Sequence, residues 1–243
     1  MNFYPIFWKE MMIIRKKPWR FIASSLIMPV LYLVTFGWGL GRGMNVSGGR
    51  YLEFVLPGIL ALSAMNNSFG PVSTSLNISK LYTKTIEEVL VSPVSHWDIA
   101  LGRALTGLVR GMFSAFMLLL VGVVTGVQLH MTLTFLAILA LTAFCFGAAG
   151  VAAAMIARSH EDMSNFNSFF IIPMSFLAGT FFSPDRLPEP FKSLILVYPL
   201  THASLLLRAL ASGGSPALVS TAVLAAYTLL FFLLAAMMVK KTA

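Results

Sequence analysis

Cys145 is the only cysteine in the chain and sits in the apolar run Ala143 to Gly147, so neither an intrachain disulfide nor a cysteine-cluster metal site can form. His96, His130, His160 and His202 fall in four separate segments, without the short spacing that brings imidazoles to one metal. They read as polar loop or interface residues. No G-x-x-x-x-G-K-S/T loop is present to cradle a phosphate, and no G-x-S-x-G elbow to raise a nucleophile. Gly37, Gly39, Gly41 and Gly43 lack the spacing of a dinucleotide loop and read as a flexible exit from an apolar segment. No catalytic, cofactor-binding or metal-ligating set emerges. The polar residues that stand out are those inside apolar stretches. Pro57, Gly58, Asn66, Asn67, Ser68, Gly70, Pro71 and Ser73 make one such stretch the most polar and kink-prone of all. Asn66, Asn67, Ser68 and Ser73 are therefore candidates to line a route, because polar groups at membrane depth face protein or a wet cavity. Asparagine can equally act as glue between helices.

The elements that position these residues follow from composition. Hydrophobic residues make up 58% of the 243 residues, charged ones 11%, and the mean hydropathy is +0.83. Soluble domains average about 45–50% and about 25%, and no soluble core of this length could hide so much apolar surface. A membrane-crossing helix needs about 20 mostly apolar residues, with every backbone polar group satisfied within it. The sequence offers six such stretches: about Phe21 to Leu40, Leu52 to Leu76, Ile99 to Val127, Met131 to Ala157, Phe166 to Phe182, and Pro216 to Val239. The expected fold is thus an all-α polytopic membrane protein with six transmembrane helices, and an even number puts both termini on one side.

Lys and Arg in the loops decide which side. With the N-terminus in the cytoplasm, the inner segments hold Lys9, Arg15, Lys16, Lys17, Arg20, Lys80, Lys84, Arg103, Arg158, Lys240 and Lys241. The outer ones hold only Arg42, Arg50, Arg186, Lys192 and Arg208, with Arg110 inside the third span. Both termini are expected inside. The formal charge of +8 then records insertion orientation and contact with anionic lipid, and the scattered basic residues form no stripe for nucleic acid. Within the third span, Gly107, Gly111 and Ala115 recur every four residues, followed by Gly122 and Gly126, a pattern for close helix packing either inside the chain or at a subunit interface.

Three segments do not span. Residues 1–20 have no A-x-A-like cleavage site and read as an interfacial helix, with Lys9 and Lys16 on a polar edge, Phe3, Phe7, Met11 and Ile14 on an apolar one, and Trp8 and Trp19 suited to the headgroup zone. Pro18 ends it. Its role is anchoring, or gripping a cytoplasmic partner. The loop at 77–98 contains a short amphipathic helix over residues 80–91. Tyr82, Ile86, Val89 and Leu90 share one face, and Lys84 pairs with Glu88 at i,i+4. Ser92 before Pro93 stops it, and Ser95 and Asp98 cap the next helix. On the outer side, Pro199 divides residues 183–214 into two apolar runs too short to cross, which would dip into the membrane and return; Thr201 caps the second and Gly213-Gly214 end it. The whole chain, 1–243, is one domain: interfacial helix 1–20, spans one and two 21–76, cytoplasmic loop 77–98, spans three to five 99–182, re-entrant external helices 183–214, and last span and tail 215–243.

In this order of elements, and in two segments, EEVLVSPVSHWDIALGR (87–103) and FLAGTFFSPDRLPEPFKSLILVYPLTHASLLLR (176–208), the chain resembles the type-2 ATP-binding-cassette (ABC) exporter permeases. It looks closest to the branch of bacterial drug-resistance and lipo-oligosaccharide exporters. Lys84-Thr85 departs from the acidic or Arg-Glu pair that many relatives carry. The resemblance implies the permease subunit of an exporter in the bacterial cytoplasmic (inner) membrane, surrounded by lipid and moving a drug, lipid or lipid-linked glycan outward. It implies pairing with a second copy or a sister permease, and two separate ATPase subunits. Those subunits would hold the ATP and magnesium, so this chain would carry no cofactor and catalyse no bond chemistry. Tyr82, Ile86, Glu87, Glu88, Leu90 and Pro93 would couple to the ATPase. Gly179, Phe181, Phe182, Pro199 and Thr201 would form the external gate. The competing class is a stand-alone channel or proton-coupled carrier, but the nine acids all fall outside the predicted span centres and suggest no proton relay.

Overall fold

In a computed structural model of the chain, the described residues are 3–16, 18–32, 34–35, 45–46, 49–124, 126–127, 129–184 and 187–242. The glycine run Gly37 to Gly43, the far end of the first predicted span (36–40), Arg42 and Arg186 lie outside them. The order is α1 (Phe3–Lys16), α2 (Pro18–Tyr32), α3 (Tyr51–Leu81), α4 (Thr85–Val91), α5 (His96–Val124), α6 (Leu133–Ile156), α7 (His160–Phe166), a π-helical turn (Asn167–Ile171), α8 (Ile172–Leu177), α9 (Phe191–Ile195), α10 (Pro199–Ala211) and α11 (Leu218–Thr242). A two-residue antiparallel pairing, Asn45–Val46 with Gly49–Arg50, precedes α3.

Among the described residues, α5, α6 and α11 are long and apolar enough to cross a membrane. At 31 residues α3 is the longest helix, about 46 Å at 1.5 Å per residue, and carries Pro57 and Pro71 within it. Where the sequence predicts a break, Pro18 opens α2 from its first position, where proline's missing N–H costs nothing. The fifth predicted span differs most. Helix begins six residues earlier than expected, at His160, because Ser159 and Asp162 form a reciprocal capping box: the Ser159 hydroxyl accepts from the Asp162 N–H at 3.0 Å, and the Asp162 carboxylate from the Ser159 N–H at 3.2 Å. Further on, Pro173 can donate no backbone bond and crowds the preceding turn; the ladder widens to π geometry just before it.

Helices α3, α5 and α6 pack against one another, α11 lies on α6 and α5, and α10 on α3, α11 and α6. The stripe on α5 faces inward. A methyl on Gly107 would lie 2.7 Å from Gly147 Cα of α6, and one on Gly111 2.8 Å from Ala64 O of α3, so the small residues serve packing within the chain. Two apolar clusters result. The larger runs from Tyr51 through Phe135 and Phe146 to Leu224; the smaller gathers Ile6, Leu76, Ile86, Ile99, Met155 and Val239 at one end of the bundle. Helices α1 and α4 are therefore seated at the same end, while Tyr51 and α10 belong to the opposite one.

Candidate functional site

Helix α1 is held to α5 by a pair the sequence reading missed. Arg103, counted as a cytoplasmic loop cation, is buried, and its Nη1 donates to Glu10 Oε1 at 2.5 Å. Glu10 interrupts the inward face formed by Ile6 and its neighbours, and Gly102 lets the α1 backbone approach: a methyl there would meet Phe3 O at 3.0 Å. Lys9 and Lys16 stay exposed.

Next to it lies α4, which departs from the expected helix over 80–91. Lys80 belongs to the last turn of α3, and its ammonium donates to the Met155 and Ala157 carbonyls at 2.6 and 2.8 Å, neutralising the C-terminal end of α6. Tyr82 lies between helices, exposed, its ring edge-on to His160 at 6.5 Å. Lys84 adopts a left-handed conformation (φ 51°) at the N-cap, which shortens the helix and replaces the expected Lys84–Glu88 pair with Lys84–Glu87 at 3.9 Å. Ile86 is turned inward and only 2% exposed, so it anchors α4 rather than offering a surface. Leu90 packs partly against the same cluster, whereas Glu87, Glu88, Val91 and Pro93 are exposed. Ser92 ends the helix in extended backbone, as expected. Ser95 Oγ accepts from the Trp97 N–H at 3.3 Å.

The polar stretch of α3 divides into three roles. Ser68 is fully buried and donates to Gly107 O at 2.8 Å, so it acts as glue between helices. Asn67 is committed to a node joining α2, α3 and α5: its amide donates to Ser114 Oγ at 2.9 Å and Ser63 O at 3.1 Å, while Ser114 Oγ donates to Ser25 O at 2.9 Å. Asn66 and Asn67 nevertheless line a cavity of about 620 Å³ between α2, α3, α5 and the π turn, together with Ser63, Thr74, Arg110, Asn167 and apolar residues such as Tyr32, Ile59 and Phe176. A smaller cavity of about 220 Å³, lined by Ser73, His160, Met163 and Ser164, shares Gly70, Thr74 and Asn167 with it. The π turn brings Asn167 to both. A ligand-sized, mostly apolar cavity with a few polar groups can hold an amphipathic molecule.

At the opposite end, the segment after α8 is tied down by a residue absent from the expected gate. Arg208 of α10 donates to Phe54 O at 3.0 Å, Thr180 O at 2.5 Å and Phe182 O at 3.5 Å, with its guanidinium 4.0 Å over the Phe54 ring. Tyr51 OH donates to Phe181 O at 2.9 Å, and the Phe181 ring lies 5.6 Å from Tyr32. Gly179 turns with φ +70°, which favours glycine. Thr201 does not cap α10: Tyr198 holds that position, and the Thr201 hydroxyl donates back to Ile195 O at 2.6 Å. Pro199 opens α10 at its first position, and Gly213 closes it with φ +81°. The arginine at the end of the PLT segment was visible in the sequence; its carbonyl partners, 26 to 154 residues away, were not.

The family model for ABC-2 type transporters matches residues 1–211. The chain belongs to the ABC-2 type transporter family. Curated relatives agree: it is 29% identical over 189 residues to the inner membrane transport permease YadH of Escherichia coli (strain K12), covering 75% of this chain and 73% of that one. It is 28% identical over 189 residues to Nodulation protein J of Sinorhizobium fredii (strain NBRC 101917 / NGR234), with 77% and 72% covered. This ABC-2 protein is therefore a multi-pass transmembrane subunit of an ABC transporter, not itself the ATPase, of a family that normally pairs with an ABC ATPase. Its apolar helices and its relatives are consistent with the bacterial inner membrane.

Proposed function

We propose that this ABC-2 subunit crosses the membrane six times, through α2, α3, α5, α6, the run His160–Leu177 and α11, with both termini in the cytoplasm. In this reading it exports an amphipathic or hydrophobic molecule: a drug, a lipid or a lipid-linked glycan. The observation that carries the reading is the cavity of about 620 Å³ flanked by α2, α3, α5 and the π turn, mostly apolar and rimmed by Asn66, Asn67 and Asn167. Its smaller neighbour leads towards His160, at the end of the bundle where α4 is seated. Two copies, or this chain with a sister permease, pair around the route. Two ATPase subunits holding ATP and magnesium dock on the exposed edge of α4, at Glu87, Glu88 and Val91. Their closure pushes α4, and Ile86 passes the displacement to α3 and α5. Movement of the Gly179–Phe182 segment then opens the outer side, where α9 and α10 form a cap dipping into the membrane.

Co-expression with an ABC ATPase tests this. The expected result is co-purification at one ATPase per permease, with ATP hydrolysis only in the complex, and loss of both on Glu87→Arg. An isolated chain that hydrolyses ATP, or transports without any ATPase, overturns it.

A further inference from the structure

Arg110 stands at the middle of α5, fourteen residues from His96 and fourteen from Val124 (110 − 96 and 124 − 110). Arg103, seven residues earlier on nearly the same helix face, is where the interfacial helix α1 is clamped through Glu10. Seven residues at about 1.5 Å each place Arg110 about 10 Å deeper than that clamp. An ionisable residue at such depth is costly and as a rule functional, and its partner should be identifiable. Arg103 has one in direct contact and Arg110 does not: among the described residues the ion pairs are Lys84–Glu87 and Arg103–Glu10, Arg110 meets the Glu10 charge only through space while that carboxylate is committed to Arg103, and no hydrogen bond engages the Arg110 guanidinium. Its guanidinium lies over the Phe21 ring, 5.5 Å from the centroid, which supports the group from one side and uses none of its donors. The guanidinium lines the cavity of about 620 Å³. So does Asn66, whose side chain likewise makes no hydrogen bond among the described residues, unlike Asn67.

We infer that Arg110 is an anion-recognising subsite within the cavity. The cargo class it selects is an amphiphile whose apolar body lies along Ile59, Leu62 and Phe176 and whose phosphate, sulfate or carboxylate group meets the Arg110 fork with the Asn66 amide beside it. A guanidinium matches the oxygens of such groups two at a time, whereas a neutral or zwitterionic head leaves the half-buried charge poorly compensated. The inference deepens the export reading and rests on it for the word cargo. The binding site itself stands on the cavity alone.

The same chemistry could come from bulk anionic lipid or from an exported amphiphile, and both are separable in nanodiscs holding the full chain without any ATPase. The probe is fluorescently tagged dodecyl phosphate, compared with the tail-matched dodecyl phosphocholine. In phosphatidylcholine discs, wild type should bind the phosphate probe at least tenfold more tightly. Arg110→Gln should erase that preference, Arg110→Lys should keep part of it, and Arg15→Gln, an exposed control, should leave it unchanged. Inorganic phosphate alone should not compete at the concentrations where the probe does. Discs containing phosphatidylglycerol then separate the sources: competition assigns the subsite to bilayer lipid, and undiminished binding to a distinct amphiphile. Equal binding of the two probes by wild type, or an Arg110→Gln chain that elutes as a single species and still prefers the phosphate, overturns the inference. Because no ATPase is present, these outcomes are independent of whether an ATPase drives transport.

Discussion

Arg208 shows what a single side chain can hold. Its fork serves carbonyls on two different segments, Phe54 on α3 and Thr180 and Phe182 after α8. Charge-assisted bonds of this kind are worth about 1.5–3 kcal/mol each, and removing the donor takes this partner from the Thr180 and Phe182 carbonyls at once. We expect Arg208→Ala to cost about 3 kcal/mol, seen as a lower midpoint of thermal unfolding in detergent, with transport by the complex lost. Arg208→Lys should recover only part, since an ammonium cannot reproduce the fork or its stacking on Phe54. Gly58→Ala checks the same latch from the other side, because the added methyl would stand 2.6 Å from Thr180 O and 2.9 Å from Arg208 Nη2. It should behave like Arg208→Ala; wild-type stability in both would mean that the latch is decorative. The sequence marks Arg208 as an outer-side cation, since basic residues are conspicuous in an apolar chain. Nothing local reveals its acceptors, because backbone carbonyls have no sequence signature.

The proposed coupling falls on a short helix, and here local pattern and tertiary contact disagree. The amphipathic pattern over 80–91 correctly marks a helix on a charged loop, but the left-handed Lys84 and the extension of α3 through Leu81 leave only Thr85–Val91 for α4. The family resemblance places Ile86 among the residues that meet the ATPase, whereas in the structure Ile86 is spent on the chain's own core. Periodicity reports that a face is apolar; it cannot say what covers it. The capping box at Ser159 and Asp162 was equally readable, with the same S-x-x-D spacing as Ser95 and Asp98, and was hidden only by expecting the fifth span to begin further on. Two classes of variant follow. Ile86→Ala should loosen the seat of α4 and cost about 2–4 kcal/mol, detectable as faster proteolysis near residues 82–84. Val91→Asp, on a side chain 87% exposed, should leave folding unchanged yet weaken pull-down of the ATPase, as should Glu87→Arg. Lys240→Glu, on the exposed end of α11, should do neither. Normal ATPase pull-down in both exposed-edge variants would remove α4 from the coupling path. The Glu10–Arg103 clamp belongs to the same scale: breaking a buried pair from one side costs about 3–5 kcal/mol. Glu10→Ala should therefore release α1 from α5, while Glu10→Ala with Arg103→Met should recover much of the loss.

Across the whole molecule, the arrangement has two ends. One gathers α1, α4, the start of α7 and the basic tail of α11; the other gathers Tyr51, the Gly179–Phe182 segment, α9 and α10. In the proposed orientation the first end faces the cytoplasm, because it carries eleven of the Lys and Arg residues named above against five at the other, and basic residues are retained on the inner side. Arg103, buried beside α1, and Arg208, half-buried beside Phe54 and Thr180, lie at opposite ends of the bundle. Span boundaries read from hydropathy fell within about five residues of α3, α5, α6 and α11, because those helices are bounded by turns with strong local signals such as the Thr132 cap, whose hydroxyl accepts from the Phe135 N–H at 3.2 Å. The π turn was not legible, since its cause, Pro173, fits equally well with a simple kink. Orientation can be measured with single cysteines, and the native background is low because Cys145 is fully buried. In a Cys145→Ala chain, Thr83→Cys and Glu189→Cys occupy exposed positions at the two ends. With an impermeant thiol reagent on intact cells, Glu189→Cys should label at once and Thr83→Cys only after permeabilisation, whereas Thr83 is a better reporter than its neighbour Ser79, which is buried against Thr85. A third position, Lys241→Cys on α11, should follow Thr83→Cys. Agreement of 83 and 241 with 189 opposed requires an odd number of crossings between 83 and 189 and again between 189 and 241, as six crossings with both termini inside demand. Labelling of 83 with protection of 189 inverts the molecule, and then α4 faces away from any cytoplasmic ATPase and cannot receive its stroke.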